Sequence, residues 1–119
     1  MGDEGARAAD AAAARLAVSV AAYALNVSLQ EVADRARGRA EAALARQVAM
    51  YLCHVAFEFS LARVAIAFGR DRSTVAHACH SIENRRDEHQ FDRWIGALEA
   101  MLRGAPRPSA RDTRTGVCA

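Results

Sequence analysis

The sequence predicts an all-α domain of about five to six helices. Apolar residues recur at spacings of three and four over most of the chain, which is the period of an amphipathic helix. Only 2 prolines and 7 glycines occur in 119 residues, and the 52% hydrophobic content is rich in alanine, a strong helix former. This length suits one small domain. We expect a folded domain over residues 10–103, a disordered N-terminus over 1–9 and a disordered tail over 104–119.

The first part of the domain is predicted to hold two helices and a basic loop. Asp10 is the expected N-cap of the first helix, whose apolar positions are Leu16, Val20, Tyr23, Ala24 and Val27. The second helix, SLQEVADRA, begins at Ser28, and Glu31 completes a capping box three residues later. The window RARGRAEAA follows, and Gly38 favours a loop there. Its basic residues are Arg35, Arg37 and Arg39.

The second part is predicted to hold a central helix and three further helices. The strong periodicity of ALARQVAMYLCHVAFEF predicts a core helix that runs to Phe59. We expect Ser60 to cap SLARVAIAF, which ends at Gly69, and Asp71 to cap RSTVAHACHSIENRR. The last helix is expected over residues 92–102. The inward residues of the last two helices are predicted to be Val75, Ala78, Cys79, Ile82, Trp94, Ile95, Leu98 and Leu102.

The two helices on either side of Gly69 have the spacing of a helix-turn-helix. That motif needs a small residue midway along its first helix, where the second helix crosses, and a turn residue that tolerates positive φ. Ala65 lies four residues before Gly69, and the branched Val75 lies six residues after it. The second helix then leaves these groups facing outward near its start: Arg72, Ser73, Thr74, Ala76, His77 and His80.

Those outward groups are suited to reading base edges in a major groove. Arginine can bridge guanine O6 and N7, and hydroxyls can bond to donors or acceptors. Asp71 is expected either to accept from cytosine N4 or only to cap the helix. We predict that the base-facing residues are Asp71, Arg72, Ser73, Thr74 and His77. Further contacts to the DNA backbone or minor groove are predicted at Arg63 and Arg70.

Two blocks of the sequence, ARQVAMYL and SLARVAIAFGRDRSTVAHACHSI, match the signature of a known family. They resemble the C-terminal DNA-binding domain of DnaA, the bacterial chromosomal replication initiator. The family pattern runs R-Q-[IV]-A-M-Y-L, then S-L-x-x-[IV]-[AG]-x-x-F-G, then G-[RK]-D-H-[TS]-T-V-x-H-A-C-x-x-I. The resemblance covers about residues 16–102 and is most specific over 45–83. It implies a DnaA domain IV fold, similar to that of the Trp repressor, and double-stranded DNA as the partner.

The resemblance also implies roles for individual residues. Arg46 and Gln47 match a pair that contacts the DNA backbone. The basic loop of Arg35, Arg37 and Arg39 lies where the family's loop reaches the minor groove. The signature positions that face bases in the major groove are matched by Asp71, Ser73 and Thr74. His77 matches the histidine of the family's H-A-C.

The departures from the family pattern affect two properties, the DNA sequence preference and the binding of ATP. Arg72 stands where the family usually has histidine, and one glycine of the usual F-G-G-R turn is missing. His80 and Ser81 stand where basic residues are frequent. The sequence has no GxxxxGK[ST] phosphate loop, so we expect neither ATP nor another cofactor. The chain resembles a stand-alone DNA-reading domain that lacks the AAA+ ATPase. The resemblance implies that this domain regulates replication initiation or transcription at a DnaA-box-like site.

A metal site and a nucleophilic cysteine are the two alternatives to DNA binding at these residues. A structural zinc site would use His77, Cys79 and His80 with the nearby Cys53–His54 pair, but the outward histidines and the inward cysteine do not converge. Both cysteines fall on apolar stripes, where a free cysteine serves as a small core residue, and no carboxylate is spaced to orient a histidine. We therefore predict neither a metal site nor an enzyme.

A protein-interaction role is the alternative function. The first helix carries apolar groups on more than one face, and an unused face could hold a protein partner or a second copy of the chain. On this alternative the chain modulates a replication or transcription factor without reading DNA. The residues that suggest it are Leu16, Val18, Val20 and Tyr23.

Charge and cysteine content indicate the compartment. All 16 basic residues are arginine, which suits phosphate contacts and equally fits a genome that favours arginine codons, and the net charge is +2. The 3 cysteines form no CxxC, no secretory leader opens the sequence, and the longest uncharged stretch, residues 16–30, is too short to span a bilayer. We expect a cytoplasmic, nucleoid-associated protein that does not enter a membrane.

Overall fold

The computed structural model describes residues 2–33 and 40–106, and within these ranges it contains six α-helices and no strand. This confirms the predicted all-α fold. In chain order the helices are α1 (Gly2–Leu25), α2 (Leu29–Ala33), α3 (Ala40–Val55), α4 (Leu61–Phe68), α5 (Arg72–Arg85) and α6 (His89–Gly104).

Helix α3 is the centre of the fold, because it contacts each of the other five helices. Its Val48, Ala49 and Leu52 side chains are fully buried, as is Cys53. Burial of such aliphatic side chains contributes roughly 1.5–3 kcal/mol each relative to exposure. The prediction that this segment forms the core helix is therefore confirmed.

The predicted apolar face of α1 is wrong in part. The residues that pack inward are alanines, among them Ala13, Ala17 and Ala21, whereas the Tyr23 side chain is 90% exposed. Alanine side chains are short, so the backbones of α1 and α3 can approach closely, and a tyrosine on that face would hold them apart. Leu16 and Val20 are only partly buried and pack against the edge of the core.

The N-terminal boundary of the domain also differs from the prediction. Helix α1 begins at Gly2, so the expectation of a disordered segment over residues 1–9 is wrong for the described residues. The run is rich in alanine, and nothing in it breaks a helix. Asp10 therefore lies inside α1 instead of at its N-cap, and its carboxylate accepts hydrogen bonds from Arg63. At the other end α6 reaches Gly104, and residues 107–119 of the predicted tail lie outside the described residues.

The central helix is shorter than predicted. Helix α3 ends at Val55, and residues 56–60 form a turn in which Glu58 has a φ of 62°. The His54 Nδ1 lies 2.8 Å from the Phe59 carbonyl oxygen, and because a carbonyl can only accept, this ring nitrogen carries the proton. Phe57 and Phe59 remain buried, so the apolar pattern that predicted more helix reflects a turn packed onto the core.

Helix α2 is short and follows its predicted capping box. The Ser28 amide donates to the Glu31 carboxylate at 2.9 Å, and the Glu31 amide donates to the Ser28 hydroxyl at 3.0 Å. Val32 is buried and anchors the helix. The basic loop that was predicted to follow lies outside the described residues.

Over Glu4–Leu25, helix α1 is long and apolar enough to cross a membrane. Core helices of soluble proteins share this length and composition, and a third of the most apolar stretch of α1 is buried inside this protein. The segment also carries Arg7, Asp10 and Arg15. The alanine face of α1 packs against α3, and this packing explains why α1 is apolar.

Candidate nucleic-acid interface

Helices α4 and α5 form the predicted helix-turn-helix. Gly69 ends α4 in the left-handed region, with φ 64°, and the Arg70 amide donates to the Ala65 carbonyl at 3.0 Å. This backbone bond closes the end of α4 and aims the chain into α5. Val64, Ala65 and Val75 are buried at the crossing of the two helices. The small residue, the turn glycine and the branched residue thus have their predicted places.

The two helix starts are capped differently. The Ser60 hydroxyl accepts from the Arg63 amide at 3.2 Å, which confirms the predicted cap of α4. Asp71 occupies the N-cap position of α5, yet its side chain makes no capping hydrogen bond. The prediction of Asp71 as a side-chain cap is wrong in that respect. Its carboxylate is exposed and lies at the start of the outward face of α5.

The start of α5 presents the five predicted base-facing residues on one exposed surface. Val75, Ala78 and Ile82 fill the opposite, buried face, which is why the polar side chains turn outward. The side chains exposed at the start of the helix and one turn later are Asp71, Arg72, Ser73, Thr74 and His77. A helix that enters a major groove by its N-terminus would present these groups first.

Two of the residues predicted to contact the DNA backbone, Arg46 and Arg70, lie in one region of the surface, and Arg70 directly precedes Asp71. Arg46 donates from Nη1 to the Val32 carbonyl at 2.9 Å and so ties α3 to the end of α2. Arg46 and Arg70 line one cavity together with Val32 and Phe68, so the two guanidinium groups belong to the same region of the surface. Gln47, the next residue on α3, is partly buried.

Arg63 is differently placed. It holds the Asp10 carboxylate through Nε at 3.1 Å and Nη2 at 2.8 Å, a bidentate pair between α4 and α1. Its guanidinium carbon also lies 4.0 Å from the centre of the Phe59 ring. Arg63 therefore stabilises the contact between α1 and α4, and the structure does not bring it together with the exposed start of α5.

The residues expected to reach the minor groove are Arg35, Arg37 and Arg39, and they lie outside the described residues. They follow α2, whose last residue is Ala33, and precede α3, which begins at Ala40. Val32, which precedes that segment on α2, accepts a hydrogen bond from Arg46.

A polar cluster behind α5 was not foreseen from the sequence. The Tyr51 hydroxyl donates to the Glu83 carboxylate at 2.7 Å and accepts from Arg86 Nη1 at 2.9 Å. Arg86 also donates to Asp92 and Glu99 of α6. The cluster joins α3, α5 and α6, and burial raises the pKa of Tyr51 to about 12. The Arg86 side chain is only 24% exposed, because it lies between Tyr51 and the carboxylates of α6.

Cys53 and Cys79 are core residues, as predicted, and Cys118 lies outside the described residues. Cys53 and Cys79 are both buried, and burial raises the pKa of Cys53 to about 12 and that of Cys79 to about 11. Thiols in such surroundings stay protonated and are weak nucleophiles near neutral pH. Over residues 2–33 and 40–106, no group of three or more His, Cys, Asp or Glu side chains has an arrangement that could hold a metal ion.

This fold and this exposed surface define a helix-turn-helix domain of the kind that binds nucleic acid. A family profile described as the bacterial dnaA protein helix-turn-helix matches residues 14–82. The chain belongs to this family. The match is to a helix-turn-helix domain, and it indicates no enzymatic domain.

Individual relatives and solved structures agree with this assignment. The chromosomal replication initiator protein DnaA of Thermoanaerobacter sp. (strain X514) is 32% identical over 80 residues, which are 66% of this chain and 18% of that protein. DnaA of Azoarcus sp. (strain BH72) is 44% identical over 61 residues, which are 50% of this chain and 13% of that protein. The chain thus spans less than a fifth of these relatives.

Two solved structures have the same fold. A crystal structure of a DNA replication initiation factor matches with a TM-score of 0.70 and 29% identity, over 80% of this chain and 29% of that one. A replication initiator DnaA bound to AMPPCP and single-stranded DNA matches with a TM-score of 0.68 and 28% identity, over 79% of this chain and 28% of that one. The nucleotide and the DNA belong to that protein.

Proposed function

We propose that this chain binds double-stranded DNA in a sequence-specific manner. Helix α5 lies in a major groove, and Arg35, Arg37 and Arg39 enter the adjacent minor groove. The observation that carries the proposal is the single exposed surface at the start of α5, which holds Asp71, Arg72, Ser73, Thr74 and His77.

Backbone contacts complete the interface in this proposal. Arg46, Gln47 and Arg70 bind phosphates beside the groove, and this electrostatic part of the affinity is independent of sequence. Arg63 is left out of the interface because it is paired with Asp10. A second contact in the minor groove matters, since one short recognition helix supplies few base contacts.

The biological role that we propose is regulation at sites related to the DnaA box, in replication initiation or in transcription. A domain of this family that binds such boxes can compete with an initiator for them. The role needs no ATP, and it places the protein in the cytoplasm, on the nucleoid. Arg72 differs from the histidine that is usual in the family, so the preferred site is expected to differ from the initiator's box at one base pair.

Fluorescence anisotropy of the whole chain tests this proposal. A duplex with the initiator's 9-mer box is compared with a scrambled duplex at about 150 mM salt, near physiological ionic strength. We expect tighter binding to the box, or equal binding followed by enrichment of a related site from a randomised pool. If the protein binds neither duplex and enriches no site, the proposal of a DNA reader is wrong.

A protein-interaction role is the second candidate, and one observation favours it. An apolar groove runs between α1 and α6, beside the exposed side chains of Tyr23 (90% exposed) and Met101 (56% exposed). The groove is lined by Ser19, Val20, Tyr23, Ala24, Trp94, Leu98 and Met101. Such a face is suited to a protein partner or to self-association.

Charge reversal separates the two candidates. The double variant Arg37→Glu, Arg39→Glu is expected to abolish DNA binding and to leave sedimentation behaviour unchanged. Tyr23→Ser with Met101→Ser is expected to leave DNA binding unchanged and to shift any monomer–dimer equilibrium toward the monomer. If the first variant leaves DNA affinity unchanged and the second abolishes self-association, the protein-interaction role is favoured.

A further inference from the structure

We propose that the groove between α1 and α4 is a docking site for an acidic amphipathic helix of a partner protein. This groove is separate from the one between α1 and α6, and its use does not require that α5 contact DNA. The inference therefore goes beyond the proposed function and gives the chain a partner of a second kind.

The groove runs along both helices. Two parts of it, with volumes of about 410 Å³ and about 340 Å³, share Ala11 and Ala67. A third part, of about 280 Å³ beside α2, shares Val18 and Phe68 with the first. Pockets that hold small ligands have volumes of about 300–1,000 Å³, so this groove has room for several apolar side chains of a partner.

The surface of the groove is largely apolar. Ala11, Ala14 and Ala67 have short side chains, so the backbone of a partner can approach closely. Leu29 and Ile66 also line the groove, and they are 56% and 61% exposed. A contiguous apolar surface with charged residues at its edges is typical of a site that binds another protein.

The charged residues along the groove are mostly positive. They are one carboxylate and five arginines, whereas the whole chain has a net charge of only +2. The carboxylate, Asp10, accepts two hydrogen bonds from Arg63, so its charge is compensated. A complementary partner therefore carries carboxylates beside its apolar residues. The five arginines are Arg7, Arg15, Arg46, Arg63 and Arg70.

Arg7 and Arg15 on α1 are free to bind such carboxylates. Both are exposed, and within residues 2–33 and 40–106 neither side chain has a hydrogen bond or an ion pair. They lie eight residues apart on one face of α1, which corresponds to about 12 Å of rise. Two carboxylates about seven or eight residues apart on a partner helix span nearly the same distance, so both arginines can be paired at once.

A helix is the form of partner that suits this groove. Both of its walls are α-helices, so neither wall offers a strand edge to an extended peptide. A helix satisfies its own backbone groups and can present an apolar stripe with acidic residues beside it. A DNA backbone would meet the arginines, but it would place phosphates and sugars against Leu29, Ile66 and Phe68. The apolar surface therefore favours a protein partner over DNA.

Fluorescence anisotropy of the whole chain with labelled peptides tests the inference. The probe is a synthetic helix of about 14 residues, with leucines along one stripe and glutamates on both sides of it. One control peptide has glutamine in place of each glutamate, and another has the composition of the probe in an order that gives no apolar stripe. We expect the probe to bind about tenfold more tightly than either control, and its affinity to fall as the salt concentration is raised.

Substitutions in the groove locate the binding site. Arg7→Glu and Arg15→Glu are each expected to weaken binding of the probe about threefold to tenfold. Arg93→Glu makes the same charge change at an exposed position of α6 and is expected to change it by less than about twofold. Ile66→Ser is expected to weaken binding about tenfold, whereas Tyr23→Ser, in the groove between α1 and α6, is expected to leave it unchanged. Circular dichroism checks that each variant is folded.

The outcomes of the test are distinct. The inference is overturned if the wild type binds the probe no more tightly than the control peptides, or if Arg93→Glu and Tyr23→Ser weaken binding as much as the substitutions in the groove. It is also overturned if Arg7→Glu and Arg15→Glu weaken binding to a DNA duplex more than binding to the probe, since the groove would then contact DNA. Failure of the wild type to bind DNA would overturn the proposed function and leave this inference standing.

Discussion

Thr74 is the residue that best tests base reading. Its side chain is exposed at the start of α5, and it offers both a hydroxyl and a methyl group to a base pair. Thr74→Ala is expected to lower the discrimination between the specific and the scrambled duplex by about 1–3 kcal/mol, at one base pair. Anisotropy on single-base variants of the site measures this. Thr74→Ser keeps the hydroxyl and separates its contribution from that of the methyl group; equal losses on both duplexes would contradict base reading.

Arg46 tests the contact to phosphate. Arg46→Ala is expected to weaken binding to all sequences and to lower the salt slope by about one. The side chain also holds the Val32 carbonyl, so the variant should lose about 1 kcal/mol of stability as well. Salt titrations measure the slope, and denaturant unfolding measures the stability. Arg93→Ala, at an exposed position of α6, is the matched control. If Arg93→Ala lowers the salt slope of DNA binding by the same amount, the change in net charge alone is responsible.

At the scale of the element, Gly69 tests the turn between α4 and α5. Its φ of 64° is unfavourable for a residue with a Cβ, although no atom lies within 4 Å of where that Cβ would be. Gly69→Ala is therefore expected to destabilise the domain by about 1–2 kcal/mol, from backbone strain alone. Gly5→Ala is the control, because Gly5 lies in α1 with equally open surroundings, and it should be neutral or slightly stabilising. Urea denaturation compares them, and equal effects would contradict the strain argument.

The close packing of α1 on α3 gives a second test of an element. Ala17 is fully buried in the alanine face, so Ala17→Leu is expected to force the helices apart and cost about 1–3 kcal/mol. Ala24→Leu adds the same atoms at an exposed position of the same helix and should change stability by less than about 0.5 kcal/mol. Thermal unfolding followed by circular dichroism measures both variants. An Ala17→Leu variant as stable as the wild type would show that the helices have room to spare.

The same elements show what the sequence could predict. The helix-turn-helix was predictable because its signals are local: Ser60 caps α4, Gly69 has the conformation that the turn requires, and the buried face of α5 follows a helical period. The buried face of α1 was not predictable. Its many alanines do not distinguish a buried face from an exposed one, and the large Tyr23 suggested a face that is exposed in the structure. The extent of α3 was overestimated because Phe59 is buried in a turn and keeps the apolar period.

Contacts distant in sequence limited the prediction of the site. Arg63 was expected at the DNA backbone, yet its partner Asp10 lies 53 residues earlier in the chain. The bond between Tyr51 and Glu83 spans 32 residues. Neither pairing leaves a signal in local spacing. The exposure of the five residues that we predict to face bases was predictable because they are consecutive or one turn apart at the start of one helix, whose buried face determines where they point.

At the scale of the whole molecule, the cluster of Tyr51, Glu83 and Arg86 links three helices. Tyr51 joins α3 to α5, and Arg86 continues the link to Asp92 and Glu99 of α6. The cluster thus fixes the far end of the recognition helix, while Gly69 and the buried crossing fix its start. The orientation of α5 on the rest of the domain therefore depends on polar contacts at its far end, and in the proposed function these contacts would set the tilt of α5 in the groove.

Alkaline pH should act on the molecule through this cluster. Burial raises the pKa of Tyr51 from 10.0 to about 12, so its hydroxyl stays protonated in the folded state at pH values where the unfolded chain has already lost that proton. The stabilisation is fully present below pH 10 and is lost as the pH rises through 12. We expect the stabilisation to amount to roughly 3 kcal/mol, since each pKa unit corresponds to about 1.4 kcal/mol. Tyr51→Phe removes this titration and also two hydrogen bonds, so it should be less stable at pH 8 and lose less stability between pH 10 and 12. Urea unfolding of both proteins across this range measures the difference. Because Cys53 and Cys79 remain in both proteins, their titration cancels, and parallel loss of stability would show that Tyr51 does not titrate as the structure indicates.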